Sequence, residues 1–97
     1  MKIGKLYQVK KFYWFIYPST DIAADASDGT DGASDATNIA AYYSNKYNCK
    51  VSYIEPNSIF VFLEQDGYCC KILTTNGELG WINLADWCKA DIEEVNQ

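Results

Sequence analysis

Four cysteines, thirteen carboxylates and no histidine make up the reactive inventory of this chain. A thiol nucleophile needs a neighbouring base or cation to draw off its proton, and with no imidazole anywhere Cys49, Cys69, Cys70 and Cys88 have no such partner. Zinc finds neither histidine nor a Cys-x-x-Cys pair. Cys69 and Cys70 are adjacent in an expected strand, so they point to opposite faces and are badly placed to bond each other. A Cys49 to Cys88 disulfide stays open for an oxidising compartment; a reducing one leaves all four as thiols. The carboxylates offer a second chemistry. Asp21, Asp25, Asp28, Asp31 and Asp35 recur every three or four residues, which invites Ca²⁺. The spacing fails, because a calcium loop needs a carboxylate at its twelfth position, and counting from Asp25 or Asp28 reaches Ala36 or Ile39. No metal, no cofactor and no catalytic set is therefore expected, and the chain reads as a non-enzyme.

The net charge of −5 is local. Those five aspartates lie in a segment without lysine, while the other eight acids are balanced by all eight lysines. With no arginine and no basic cluster, nucleic acid is excluded as a partner. Residues 1–9 hold no uninterrupted apolar core of a signal sequence, and no stretch approaches the roughly eighteen apolar residues of a membrane span. A cytoplasmic protein with no membrane contact is the expectation. Ninety-seven residues leave room for one domain with one modest core.

The elements that must carry these side chains are mostly strands. Residues 5–17, KLYQVKKFYWFIY, form a long aromatic and branched run closed by Pro18. Residues 19–36 are small, acidic and glycine-rich and read as a loop, after which Ser34 or Asp35 would cap a short helix over 35–46, with Ile39, Tyr42, Tyr43 and Lys46 at helical spacing. Strands follow at 51–54, 59–64, 68–73 and 78–82. They are separated by Glu55-Pro56-Asn57-Ser58, by Asp66-Gly67, and by an Asn76-Gly77 pair that signals a tight hairpin. One helical turn over 83–87, a brief strand at 88–90 and a frayed tail at 91–97 complete the chain.

Residues 51–90 resemble a Src-homology-3-like barrel, closer to its bacterial branch than to the eukaryotic signalling one. The likeness rests on the polar turn into the apolar strand 55–63, on Asp66-Gly67 followed by Tyr68, and on Gly77-Glu78-Leu79-Gly80-Trp81-Ile82, which is similar to the Gly-x-x-Gly-Trp-Val segment of bacterial members. Phe15-Ile16-Tyr17-Pro18-Ser19 is similar to the family's first strand. The resemblance implies an all-β fold: a five- to six-stranded barrel, one domain over 1–97, with a long acidic insertion (about 19–47) after the first strand. Eukaryotic members dock proline-rich helices on an aromatic groove. Here Tyr68 replaces the groove's tryptophan and Asn83 stands where its proline is expected, so a polyproline peptide is not the expected ligand.

Two runs are apolar on both faces, residues 12–17 and residues 59–63, although a small barrel has only one inside. Something must cover the outer side chains. Either the insertion folds back through Ile39, Tyr42, Tyr43 and Tyr47 as a lid over Phe12, Trp14 and their neighbours, or Tyr13, Tyr17, Phe60, Phe62, Tyr68 and Trp81 form an exposed partner surface. The two can coexist. The functional expectation is a binding module that contacts another protein or its own copy through that aromatic face. The alternatives are a small acidic inhibitor of a host enzyme, working through Asp21, Asp25, Asp28, Asp31 and Asp35, and a structural component of a phage particle.

Overall fold

The apolar run 5–17 makes two strands. β1 (Leu6–Val9) ends where the chain turns, and β2 (Trp14–Ile16) starts after four intervening residues. The computed structural model describes residues 2–25, 33–84 and 91–95, and within them the cause of the break is visible. The backbone N–H groups of Lys11 and Phe12 donate to the carboxylate of Asp91 at 2.7 and 3.1 Å, and the Lys10 N–H donates to the Asp91 carbonyl at 2.8 Å. Donors that would have continued a ladder are taken by the C-terminal segment instead.

Residues 91–95 of that segment are not frayed, and 96–97 lie outside the described residues. Residues 92–94 form a strand antiparallel to β1, in the register Tyr7↔Glu94, Gln8↔Glu93 and Val9↔Ile92. The polar composition that suggests fraying reflects an edge strand with one face in water, where charged side chains are favoured. The expected turn over 83–87 begins inside a strand, since Asn83 still pairs with Cys69. Residues 85–90, with Cys88 and the strand expected at 88–90, lie outside the described residues.

Between the first and last strands the chain is mostly β with two helices. After β2 come α1 (Thr20–Asp25) and α2 (Ala33–Tyr47), then β3 (Ser52–Ile54), β4 (Ile59–Asp66), β5 (Cys69–Thr74), β6 (Leu79–Asn83) and β7 (Ile92–Glu94). The strands make a five-stranded sheet in the order β6-β5-β4-β1-β7 and a two-stranded sheet of β2 and β3. One bridge joins the two sheets: the Tyr17 and Trp81 N–H groups each donate to the other's carbonyl at 2.8 Å. Among the described residues the strands therefore form two linked sheets and no closed barrel; the β expectation holds in its coarser form, a mostly β chain to which two helices are added.

The turns follow from their residues. Pro56 fixes φ at the second position of its turn and Asn57 accepts the left-handed φ of 71° that follows, closed by the Ser58 N–H donating to the Glu55 carbonyl. At the β5–β6 hairpin only Gly77 takes a positive φ, 86°, and its N–H donates to the Thr74 carbonyl. The Asn76-Gly77 pair thus sits in a three-residue loop with a glycine bulge, not in the two-residue turn that such a pair most often signals.

The insertion is the largest departure from the sequence reading. Residues 20–25, read as loop, form α1: Ser19 precedes the helix, accepts from the Ile22 N–H through its hydroxyl, and is followed by two consecutive alanines, the best helix former. α2 starts at Ala33, before the two residues expected to cap it, and ends at Tyr47, followed by Asn48, whose φ of 51° is the usual left-handed stop. Its inward stripe is Ala36, Ala40, Tyr43 and Tyr47 with Ile39 beside it, while Tyr42 points out. Ser44 locks the exit, donating to the Ala40 carbonyl and accepting from the Val51 N–H.

Two apolar cores result. Trp14 and Ile16 pack with Tyr7, Val9, Phe60, Phe62, Ile72 and Ile82, while Phe15 and Tyr17, on the other face of the same strand, pack with Ala23, Ala36, Ala40 and Cys69. The lid exists, but it covers Phe15 and Tyr17. Tyr43 meets both edge-on at 6.3 and 6.0 Å between ring centres. Phe12 and Trp14 belong to the opposite core. Among the described residues no helix is long and apolar enough to cross a membrane.

Candidate functional site

Alternation along each strand decides which side chains are available. On the five-stranded sheet Tyr7, Val9, Phe60, Phe62, Cys70, Ile72 and Ile82 face the first core, so the residues between them face away. On that outer face the register lines up four aliphatic residues. Leu6 is opposite Val61, Val61 opposite Leu73, and Leu73 opposite Leu79. They form one row across β1, β4, β5 and β6, at right angles to the strands. Leu6 and Val61 are half-buried, but Leu73 is 37% and Leu79 56% exposed.

The same outer face is closed at its other end. Cys69 and Trp81 pack into the second core beneath α1, where the Asn83 amide donates to the Ala23 carbonyl at 2.8 Å and the Cys69 thiol points at the Thr20 carbonyl at 3.9 Å. Burial pushes the Cys69 thiol above its usual range, and Asp66 pushes in the same direction. A thiol so placed packs as a small apolar group. Cys70 faces the first core, so the two neighbours do point to opposite sides.

The residues expected to make an aromatic partner surface are scattered through the fold. Tyr17, Phe60 and Phe62 are each 1% exposed and belong to the cores. Burying each removes about 150–250 Å² from water, which outweighs any gain from leaving it free for a partner. Tyr13 is half-buried and meets Tyr53 edge-on, and Trp81 is half-buried against the second core. Only Tyr68 is exposed, at the β4–β5 turn. Among the described residues these six form no continuous aromatic face, and the exposed large apolar side chains are Ile3, Tyr42, Tyr68, Leu73 and Leu79. Leu73 and Leu79 escaped the sequence reading because a leucine beside apolar neighbours carries no sign of its face. The available signal was Gly80, which has no side chain and so suits the crowded side, turning Leu79 outward.

The acidic segment is also divided. Asp21 is exposed in the first turn of α1. Asp25 accepts a 2.5 Å hydrogen bond from the Tyr47 hydroxyl, tying the end of α1 to the end of α2. That bond holds the Tyr47 phenol proton, pushing its pKa up to about 12, with smaller contributions from lost hydration and the Asp25 charge. Asp28, Asp31 and the side chain of Asp35 lie outside the described residues. Among the described residues no three side chains of the metal-binding types come together.

Asp91, the one acidic residue buried as a whole among the described residues, is structural. Besides the two backbone donors, its Oδ2 accepts from the Trp14 indole N–H at 2.8 Å, and the residue is 6% exposed. Three donors around the carboxylate satisfy it. Comparison of the chain with protein-family models, with curated proteins and with solved structures gave no match, so the geometry above stands without a relative to interpret it.

Proposed function

We propose that the chain is a non-catalytic binding module that makes a protein–protein contact through the outer face of its five-stranded sheet, on a Src-homology-3-like scaffold. The observation that carries this reading is the Leu6, Val61, Leu73, Leu79 row, half-buried at its first two members and exposed at Leu73 and Leu79 among the described residues, on a face whose other end is covered by the chain's own helix. Clustered aliphatic side chains in water have no local reason to be there, whereas single exposed ones are ordinary. Scaffold kinship is supported by the strand order β6-β5-β4-β1-β7 and by the β2–β3 arm with its helices inserted between β1 and β4. On that scaffold Asn83, at the position of the groove proline, holds α1 in place, which argues against a polyproline ligand.

Cross-linking tests the reading. With p-benzoylphenylalanine at position 79, illumination in the source cells should give one discrete adduct, to a second copy or to another chain, and Leu73→Lys should abolish it while the far-ultraviolet circular dichroism is unchanged. Adducts at position 21 in place of 79 would favour the acidic alternative and contradict this one. Adducts at 79 that are indifferent to Leu73→Lys would contradict it as well.

A further inference from the structure

A second surface, on another side of the molecule, has the makings of a ligand site. α2, β3 and the β5–β6 hairpin enclose a cleft of about 520 Å³, within the range of small-ligand sites. Its apolar lining includes Ala40, Val51 and Ile54, all buried. Its charged groups are Glu55 and Glu78, and no lysine lines it. Glu78 is the informative one. Its main chain is pinned on both sides, the N–H donating to the Thr74 hydroxyl at 3.0 Å and the carbonyl accepting from the Thr74 N–H at 2.9 Å. Its Oε2 is shut off from solvent with no hydrogen-bond partner.

A carboxylate with one oxygen out of water has lost much of its hydration, and a buried polar atom without a partner calls for an explanation. No cation of the described residues supplies one. Lys50 lines a smaller recess on the far side of Glu78 but makes no salt bridge to it. Glu78 as a whole is only half-buried, so a rotation of its side chain would bring the carboxylate to a positive group entering the cleft, and the apolar lining would take an aliphatic stem behind it.

We infer that this cleft binds an alkyl-ammonium or guanidinium group, with the Glu78 carboxylate accepting its N–H groups, Glu55 adding a second negative charge, and the ligand's methylenes lying over Ala40, Val51 and Ile54. The inference is independent of the outer-face contact, because the aliphatic row takes no part in it.

The test is a ¹⁵N–¹H titration of the full chain with agmatine and cadaverine in one arm, and with capped Gly-Arg-Gly and Gly-Lys-Gly peptides in the other. Saturable shifts at Ser52, Ile54, Thr75 and Glu78 are expected, and Glu78→Gln should weaken binding about ten-fold or more, as loss of a charge-assisted hydrogen bond requires. Ala41→Phe, an exposed site on the cleft wall, should weaken it too without disturbing the Glu78 backbone bonds. Tighter binding in the first arm identifies a free amine as the ligand, and in the second a basic side chain of a partner; either result supports the site. Absence of saturable shifts at millimolar ligand, or binding indifferent to both substitutions, would overturn it.

Discussion

Asp91→Ala will lower the free energy of unfolding by about 3–5 kcal/mol, a large share of the roughly 5–15 kcal/mol that holds a domain folded. The carboxylate it removes accepts from Lys11 N–H, Phe12 N–H and the Trp14 indole, and the indole is buried with nowhere else to donate. Leaving a buried donor unpaired costs about 1–3 kcal/mol, and the three losses overlap because they share one acceptor. Asp91→Asn separates geometry from charge. Its single carbonyl can replace Oδ2 for Phe12 and Trp14, but the amide then presents N–H groups to the Lys11 N–H, so an intermediate loss is expected. Trp14→Phe should cost less in the Asp91→Ala background than in the parent chain, since the indole bond is already gone. Urea denaturation followed by circular dichroism measures all four; a loss under about 1 kcal/mol for Asp91→Ala would show that the network is dispensable.

Gly80→Ala comes second. An added Cβ would sit 2.4 Å from the Ile16 Cγ2 and 2.8 Å from the Tyr17 carbonyl oxygen. That carbonyl is itself half of the backbone bridge to Trp81 that joins the two sheets. In open space the change would stabilise by about 0.4–1 kcal/mol through the unfolded chain. Here β2 must move off β6, and overpacking of about 1–3 kcal/mol together with weakened bridge bonds reverses the sign. A net loss of about 2–3 kcal/mol is expected, with Gly80→Val worse. Gly77→Ala is the control: nothing lies within 4 Å of its new Cβ, and the cost of about 1–2 kcal/mol comes from a φ of 86° alone. Equal thermal midpoints for Gly80→Ala and the parent would show that the sheets do not pack this closely.

These two residues also mark how far the sequence can be read. Turn chemistry was legible, because Pro56, Asn57, Gly67 and Gly77 carry their backbone preference in their type, and so was α2, because its apolar residues recur at helical spacing. The strands from β3 to β6 start or stop within one or two residues of their expected positions. Relations between distant segments were not legible. Nothing local says that Asp91 will capture the backbone at Lys11 and Phe12, eighty residues away in one case, or that this capture splits one apolar run into two strands. The facing of Phe60 and Phe62 was lost for a related reason: with both faces of a strand apolar, alternation states that there are two sides but not which is inside. Ambiguity of that kind turned core aromatics into an expected partner surface, and hid the aliphatic row that lies across the other face. In α1 the signal was present, Ser19 ahead of two alanines, and was outweighed by the acidic composition around it.

Hydroxyl-radical footprinting with mass spectrometry reads most directly which apolar side chains the isolated chain offers to water. Leu73 and Leu79 should oxidise quickly, and Tyr17, Phe60 and Phe62 slowly despite the intrinsic reactivity of aromatic rings. Fast oxidation of Phe60 and Phe62 with Leu73 and Leu79 protected would put the sheet the other way round and contradict the assignment of its outer face.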